Sequence, residues 1–422
     1  MLNLQVMLCL FSLAHNINGA PQKNKYTKYL KHPSVERFRE YIQIDTSQDE
    51  NLVNAVKLLA QQATDAGIPY KTYEPAGKPI FVATLQGSDP SLPAIMLNSH
   101  MDVVKVDASS WLYPPFEAFM DENGDIYGRG TQDTKDVGIQ CLEALRRIKE
   151  DNVTLLRTLH LTVMPDEETG GYRGMKEFVK TKEFRSLNIG FALDEGLSSR
   201  DDSLFATFAD RRPWQMQFTI YGVGGHGLEM PDGSAMEKAY KFITSVMKYR
   251  DVQKSIERSN EKYNLNGYNS ININVISGGL MVNIIPSKIE IMIDMRLAPD
   301  TATEDIEALI NSWMQEAGNR TEVSYIRREL TSGITSVDDT NPFWQTMRRT
   351  LNNMGINLRP IVLSATSDML TIRNLGIPAI GFSAKTNTIS RLHTENEYVN
   401  VETFLKGIHI YTELLKGLGN LP

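Results

Sequence analysis

Cysteine is almost missing: the 422-residue chain has two, Cys9 and Cys141. Cys9 sits in an apolar N-terminal stretch, so a processed chain would keep one cysteine. That excludes an internal disulfide framework, and no Cys-x-x-Cys zinc site exists. Cys141 falls within a helical pattern and reads as a packed small residue. Long apolar runs are also missing, and nothing beyond the first twenty residues approaches a transmembrane span. No basic run stands out, and the net charge is −7. Both points argue against a nucleic-acid partner. A mild acidic excess fits metal-binding carboxylates and fits plain solubility equally well. Repeats and low-complexity segments are absent too.

Residues 1–20 carry an apolar segment of signal-peptide length, too short to span a bilayer, with Asn18 and Ala20 at the cleavage-site positions. No Lys or Arg precedes it. The expectation is a secretory signal and a secreted protein; the alternative is an amphipathic N-terminus on a cytoplasmic one. Asn-x-Thr sequons at Asn152 and Asn319 are compatible with secretion.

The rest of the chain has ordinary globular composition and length for two domains. After a polar, mobile lead-in from Lys23 to Lys31, helices are expected around Val35–Tyr41, Glu50–Ala66 and Thr134–Lys149, and from after Gly171 to about Thr181. Strands are expected at Tyr70–Tyr73, Ile80–Leu85, Ala94–Leu97, Leu159–Met164 and Ile189–Leu193. Alternating strands and helices indicate an α/β fold with a mostly parallel sheet flanked by helices. Near Arg211 the pattern changes. The order from there to Arg327 is β-α-β-β-α-β, a ferredoxin-like α+β domain inserted into the first. The α/β pattern resumes from about Pro342. The expected division is a signal peptide at 1–20, a catalytic domain at 21–210 and 329–422, and an insert at 211–328.

Asn98-Ser99-His100-Met101-Asp102-Val103-Val104 follows the apolar run Ala94–Leu97. His100 and Asp102 are two apart, so extended backbone puts both side chains on one face. An imidazole to hold a metal and a carboxylate to orient it suit a zinc site at a strand end. Alone, that pair is more often a hydrogen-bonded surface feature. Further candidates are Asp133 after a Gly-x-Gly-x-x turn, Glu168, Glu195 and the late His393. Acids recurring at strand ends fall where α/β sheets place their sites. Glu167, beside Glu168, is free to face a water as general base and acid. By itself, Asp166-Glu167-Glu168 would read as a charged helix N-terminus.

These residues resemble the family of co-catalytic zinc aminoacylases, carboxypeptidases and deacetylases, and most closely its aminoacylases. The resemblance rests on the His100 segment, Tyr127-Gly128-Arg129-Gly130-Thr131-Gln132-Asp133, Pro165-Asp166-Glu167-Glu168, Ala192-Leu193-Asp194-Glu195-Gly196 and Leu392-His393. It runs from about Val35 to the C-terminal helix. It implies two Zn2+ per subunit on His100, Asp133, Glu168, Glu195 and His393, with Asp133 bridging. Glu167 would be the base and Asp102 a supporting residue. The implied reaction is hydrolysis of N-acyl-L-amino acids to a carboxylate and a free amino acid. The competitors are a dipeptidase or carboxypeptidase of the same fold, or a non-catalytic binding protein. The resemblance also implies a homodimer. His226 would help stabilise the oxyanion in the other subunit's site, and Asn283 and Arg296 would hold the substrate's carboxylate end. Read without the family, His226 is a turn histidine among glycines.

One departure stands out. Relatives commonly carry Ser/Thr-Asp-x-Arg where this chain has Ser367-Asp368-Met369-Leu370. Leucine cannot form the bidentate pair that an arginine makes with a carboxylate. Arg373, one helical turn on, is the nearest substitute by sequence.

Overall fold

The computed structural model describes residues 25–259 and 267–422. The expected signal segment, with Cys9, lies outside the described residues. Among those described, no helix is long and apolar enough to cross a membrane.

The first stretch contains α1 (Pro33–Ile42), α2 (Leu52–Asp65), β1 (Tyr70–Tyr73), β2 (Ile80–Leu85), β3 (Ala94–His100), β4 (Phe119–Met120) and β5 (Asp125–Tyr127). There follow α3 (Lys135–Glu150), β6 (Leu159–Met164), α4 (Met175–Phe178), α5 (Lys182–Ser186), β7 (Ile189–Asp194) and β8 (Leu204–Asp210). The insert comprises β9 (Arg212–Tyr221), β10 (Gly225–His226), α6 (Ala235–Ser259), β11 (Ser270–Gly278) and β12 (Ile284–Ile285). It ends with β13 (Lys288–Leu297), α7 (Thr303–Ala317) and β14 (Thr321–Arg328). The chain closes with α8 (Pro342–Asn353), β15 (Leu358–Leu363), α9 (Met369–Asn374), β16 (Ala379–Phe382), β17 (Tyr398–Asn400) and α10 (Val401–Gly419).

The central sheet has eight strands in the order β1-β2-β6-β3-β7-β16-β8-β15. Its middle, β6-β3-β7-β16, is parallel throughout. Helices cover both faces, which is why its strands read as unbroken apolar runs. In β3, Ile95 and Leu97 pack into the core under α1, α2, α3 and α10. Met96, between them, packs into the opposite core with Met175 and Phe178 of α4 and Met369 and Ile372 of α9. Cys141 is buried in the larger core.

The insert's sheet runs β11-β13-β9-β14, antiparallel at every step. Counting its long strands in chain order gives 2-3-1-4, the ferredoxin-like arrangement. Ile289, Ile291, Ile293 and Met295 alternate inward along β13 and meet Phe242 of α6 and Trp313 of α7.

Three expectations need correction. The lead-in is ordered from residue 25: Thr27–Lys31 forms a 3-10 turn, and the Tyr29 hydroxyl donates to Glu402 at 3.1 Å. The helix expected to reach Thr181 is two short ones, α4 and α5. Strand β8 had no counterpart in the sequence reading. Only Arg211 separates it from β9, so two strands of different sheets share one uninterrupted stretch.

The strand β8 is tied to α9 by a buried ion pair. Arg373 Nη1 lies 2.7 Å from Asp210 Oδ1, and both side chains are essentially without solvent contact. Asp210 Oδ2 also accepts from the Ser367 amide and hydroxyl, each at 2.9 Å. Replacing Asp210 with Asn would leave a buried guanidinium uncompensated. The D210N variant should lose about 3 kcal/mol or more, read from the urea midpoint of the metal-loaded protein. A loss below about 0.5 kcal/mol would show the pair to be dispensable.

Candidate metal centre

Three adjacent parallel strands deliver most of the site. His100 ends β3, Glu167 and Glu168 open the turn after β6, and Glu195 follows β7. The strand order β6-β3-β7 sets these ends side by side. Asp133 comes from the loop between β5 and α3. His393 comes from the loop after β16, where its backbone adopts φ +59°, uncommon for a residue with a Cβ.

His100 Nε2 lies 3.2 Å from Asp133 Oδ1 and 3.4 Å from Glu195 Oε1. His393 Nε2 lies 2.9 Å from Glu168 Oε2 and 3.2 Å from Asp133 Oδ2. The five ligand candidates thus form two groups, His100-Asp133-Glu195 and Asp133-Glu168-His393. They share Asp133, one oxygen facing each imidazole. Glu167 Oε2 is 3.9 Å from His100 Nε2.

This donor set fits divalent cations. Burial pushes Glu195 up to about 8, and its neighbour Asp133 adds to the rise while His100 opposes it. Burial also holds Glu167 well above the usual carboxylate range, reinforced by the charge of Glu195. Concentrated negative charge in a buried pocket calls for cations. Glu168 Oε1 is buried with no hydrogen-bond partner, an acceptor open to one. Imidazole and carboxylate in this mixture suit zinc or a similar borderline metal.

Asp102 holds His100 through its backbone rather than through the carboxylate that the spacing predicts. His100 Nδ1 bonds the Asp102 carbonyl oxygen at 2.8 Å, while the carboxylate stands 3.5 Å away. That carboxylate instead accepts the amides of Glu167 at 3.2 Å and Glu168 at 3.1 Å. One residue therefore fixes a ligand imidazole through its backbone and the turn bearing the acids through its side chain.

The lining of a cavity of about 400 Å3 includes Asp133, Glu167, Glu168, Glu195, His393 and Arg296. His226 and Asn283 are not part of that lining. Both are exposed, with the Gly227 amide donating to the Asn283 carbonyl at 2.8 Å. The expected substitute Arg373 is also elsewhere. It is buried on Asp210 and donates to the carbonyls of Thr207 at 2.7 Å and Ala379 at 2.8 Å. Position 370 faces the cavity with leucine.

Residues that sequence reasoning missed hold the Asp133 loop. Glu397 Oε1 accepts the amides of Gln132 at 2.6 Å and Asp133 at 3.2 Å. Its Oε2 accepts Arg129 at 2.6 Å and the Gly130 amide at 3.3 Å. Lys385 donates to the Gln132 carbonyl at 2.7 Å and to Asp136 at 2.8 Å. The available signal was a carboxylate four residues after His393, within the same short loop. Asn98 lies in β3, two residues before His100. It donates to Asp194 at 3.0 Å and accepts from Thr162 at 2.6 Å, linking β3 to both neighbouring strands.

Glu397 acts through the ligand candidate Asp133 rather than as a ligand itself. Glu397→Gln should weaken metal affinity about 10- to 100-fold, the usual effect of losing a residue that orients a ligand. Competition with a chromogenic chelator measures it, with circular dichroism as the check that the variant is folded. Unchanged affinity would show that the loop holds Asp133 unaided.

Residues 96–417 match peptidase family M20/M25/M40. Aminoacylase-1 of Mus musculus is 38% identical over 394 residues, covering 93% of this chain and 97% of its own. Aminoacylase-1 of Dictyostelium discoideum is 37% identical over 401 residues, covering 92% and 98%. Among solved structures, an M20-family metallo-carboxypeptidase from Sulfolobus solfataricus has a TM-score of 0.73 at 19% identity, covering 92% of this chain and 99% of its own. Human carnosine dipeptidase 1 has a TM-score of 0.71 at 16% identity, covering 94% and 98%. Those structures speak for the fold alone, whereas the aminoacylase-1 sequences run nearly end to end with this one. With the ligand candidates gathered at the strand ends and these matches together, the chain belongs to peptidase family M20/M25/M40, among its relatives of the aminoacylase-1 type.

Proposed function

We propose that this protein hydrolyses the amide bond of N-acyl-L-amino acids, with two zinc ions held by His100, Asp133, Glu168, Glu195 and His393. The observation that carries this reading is the division of Asp133 between two ligand groups, with Glu167 Oε2 3.9 Å from His100 Nε2 beside them. The aminoacylase-1 relatives supply the substrate class. Bound metal would polarise the acyl carbonyl and lower the pKa of a water.

The remaining steps fall to side chains. Glu167 takes a proton from the water, and the resulting hydroxide adds to the acyl carbon. The C–N bond then breaks, and Glu167 returns the proton to the departing amine. Burial raises the Glu167 carboxyl above the usual range, which makes it a stronger proton acceptor than an ordinary carboxylate while it still returns the proton to the more basic amine. Asp102 fixes the turn on which Glu167 stands. Leu370 is the one departure that favours a non-catalytic protein, and it is itself neither a ligand candidate nor the base.

The proposed assembly is a homodimer through the insert. Strand β11 is a sheet edge with Val275 and Ile276 exposed, and α6 exposes Met236 and Tyr240. An open apolar edge invites pairing with another strand. His226 and Asn283, outside the cavity of their own chain, would then serve the neighbouring one. Ile276→Lys should shift the protein from dimer to monomer in light scattering. A wild-type monomer at the concentration of the assay would sink the dimer.

Purified protein should release methionine from N-acetyl-L-methionine, and a chelator should stop it. Glu167→Ala should lower kcat by about 100- to 10,000-fold with metal content unchanged. Undiminished turnover by E167A would remove Glu167 from the role of base.

A further inference from the structure

The cavity over the ligand groups is lined by charges of both signs. Besides carboxylates and imidazoles it carries Arg296, Arg327 and Lys176. These cations are committed to different degrees. Arg296 Nε lies 3.1 and 3.2 Å from the two oxygens of Asp294, and Nη2 adds a contact at 3.2 Å. Its charge is met by a carboxylate of its own strand. Lys176 and Arg327 instead share one acid. Lys176 Nζ is 2.7 Å from Glu329 Oε1, and Arg327 Nε is 3.5 Å from the same oxygen. At that distance Arg327 Nε, though buried, makes no hydrogen bond. Two cations against one carboxylate leave a net positive charge facing the cavity.

The place of the Arg327 guanidinium gives that charge a use. It lies against Gly170, where a Cβ would come within 3.3 Å of Nη1. Gly170, at φ +98°, closes the turn that bears Glu167 and Glu168. The planar fork therefore stands against the end of the turn that carries the proposed base and one ligand candidate. Leu370 offers apolar wall to the same cavity, and Arg373 is held by Asp210. A guanidinium with unused donors is the group best matched to a carboxylate.

Resting on the amidohydrolase reading above, we propose that Arg327 is the specificity-determining residue that receives the free carboxylate of the amino-acid substrate. Arg296 contributes less because Asp294 already meets its charge through Nε and Nη2. The substrate class is then N-acyl amino acids with an unblocked carboxylate.

The test compares R327Q, R327K and R296Q with wild type on N-acetyl-L-methionine, all zinc-loaded. R327Q should raise KM about 10- to 100-fold with kcat changed far less, as expected for losing a charge-assisted bidentate contact. R327K should recover part of the loss. The wild-type preference for N-acetyl-L-methionine over N-acetyl-L-methioninamide should shrink by a similar factor in R327Q. An unchanged KM in R327Q, or a rise confined to R296Q, overturns the proposal. If wild type hydrolyses no N-acyl amino acid, the hydrolase reading fails by itself. Calorimetric titration of N-acetyl-L-methionine then decides the assignment of Arg327. Binding weakened in R327Q upholds it, while equal binding, or binding to neither protein, overturns it.

Discussion

Everything at this site depends on confining several carboxylates in a space that excludes most water. Asp133 is shared by two imidazoles, and Glu167, Glu168 and Glu195 stand around them. Unaided, such a cluster would repel itself apart or take up protons. Burial, with Asp133 adding to it, lifts Glu195 to about 8. A protein keeps such a cluster only by holding each backbone segment from outside it. Asp102 grips the turn of Glu167 and Glu168, Asn98 bridges β3 to β6 and β7, and Glu397 and Lys385 grip the loop of Asp133. The strain of gathering like charges is thus spread over a rigid sheet and a set of buried clamps.

The insert answers that negative charge with positive charge. Its β13 and β14 bring Arg296 and Arg327 into the lining of the same cavity, while its α6 and α7 close a separate apolar core. Where the insert leaves the first domain and returns, the two crossings run together. The Arg211 amide bonds the Leu363 carbonyl, and the Glu329 amide bonds the Pro213 carbonyl. Arg212 Nη1 reaches the Leu330 carbonyl at 2.6 Å and Thr303 at 2.9 Å. Because the ends of the insert meet, its length costs the first domain little.

Much of this was legible from residue pattern. The apolar run before His100 and the runs before Glu168 and Glu195 marked buried strands whose ends would meet. The alternation from Ile289 to Met295 marked a one-sided strand, and its core packs as that pattern implies. What stayed illegible was of two kinds. Strand β8 was hidden because no turn signal separates it from β9. The residues that hold others in place were hidden because their partners are remote: Glu397 meets the Asp133 amide across 264 positions. A lone glutamate or lysine carries no periodicity to reveal such a contact. Similarly, the sequence places Arg373 one turn from Leu370, but only three dimensions show it spent on Asp210.

The remote contacts also explain why the domain can be interrupted without losing its site. His393, Glu397 and Lys385 all come from the segment after the insert, while Asp133 and its loop come from before it. Neither half holds Asp133 in place alone: the first supplies the carboxylate, the second the hydrogen-bond acceptors for its backbone and the imidazole for its second oxygen. Completing the sheet, with β16 lying between β7 and β8, brings those groups into register. Closure of the divided domain and assembly of the ligand set are therefore one event. Metal binding to the finished set must stabilise that closure by the same free energy with which it binds.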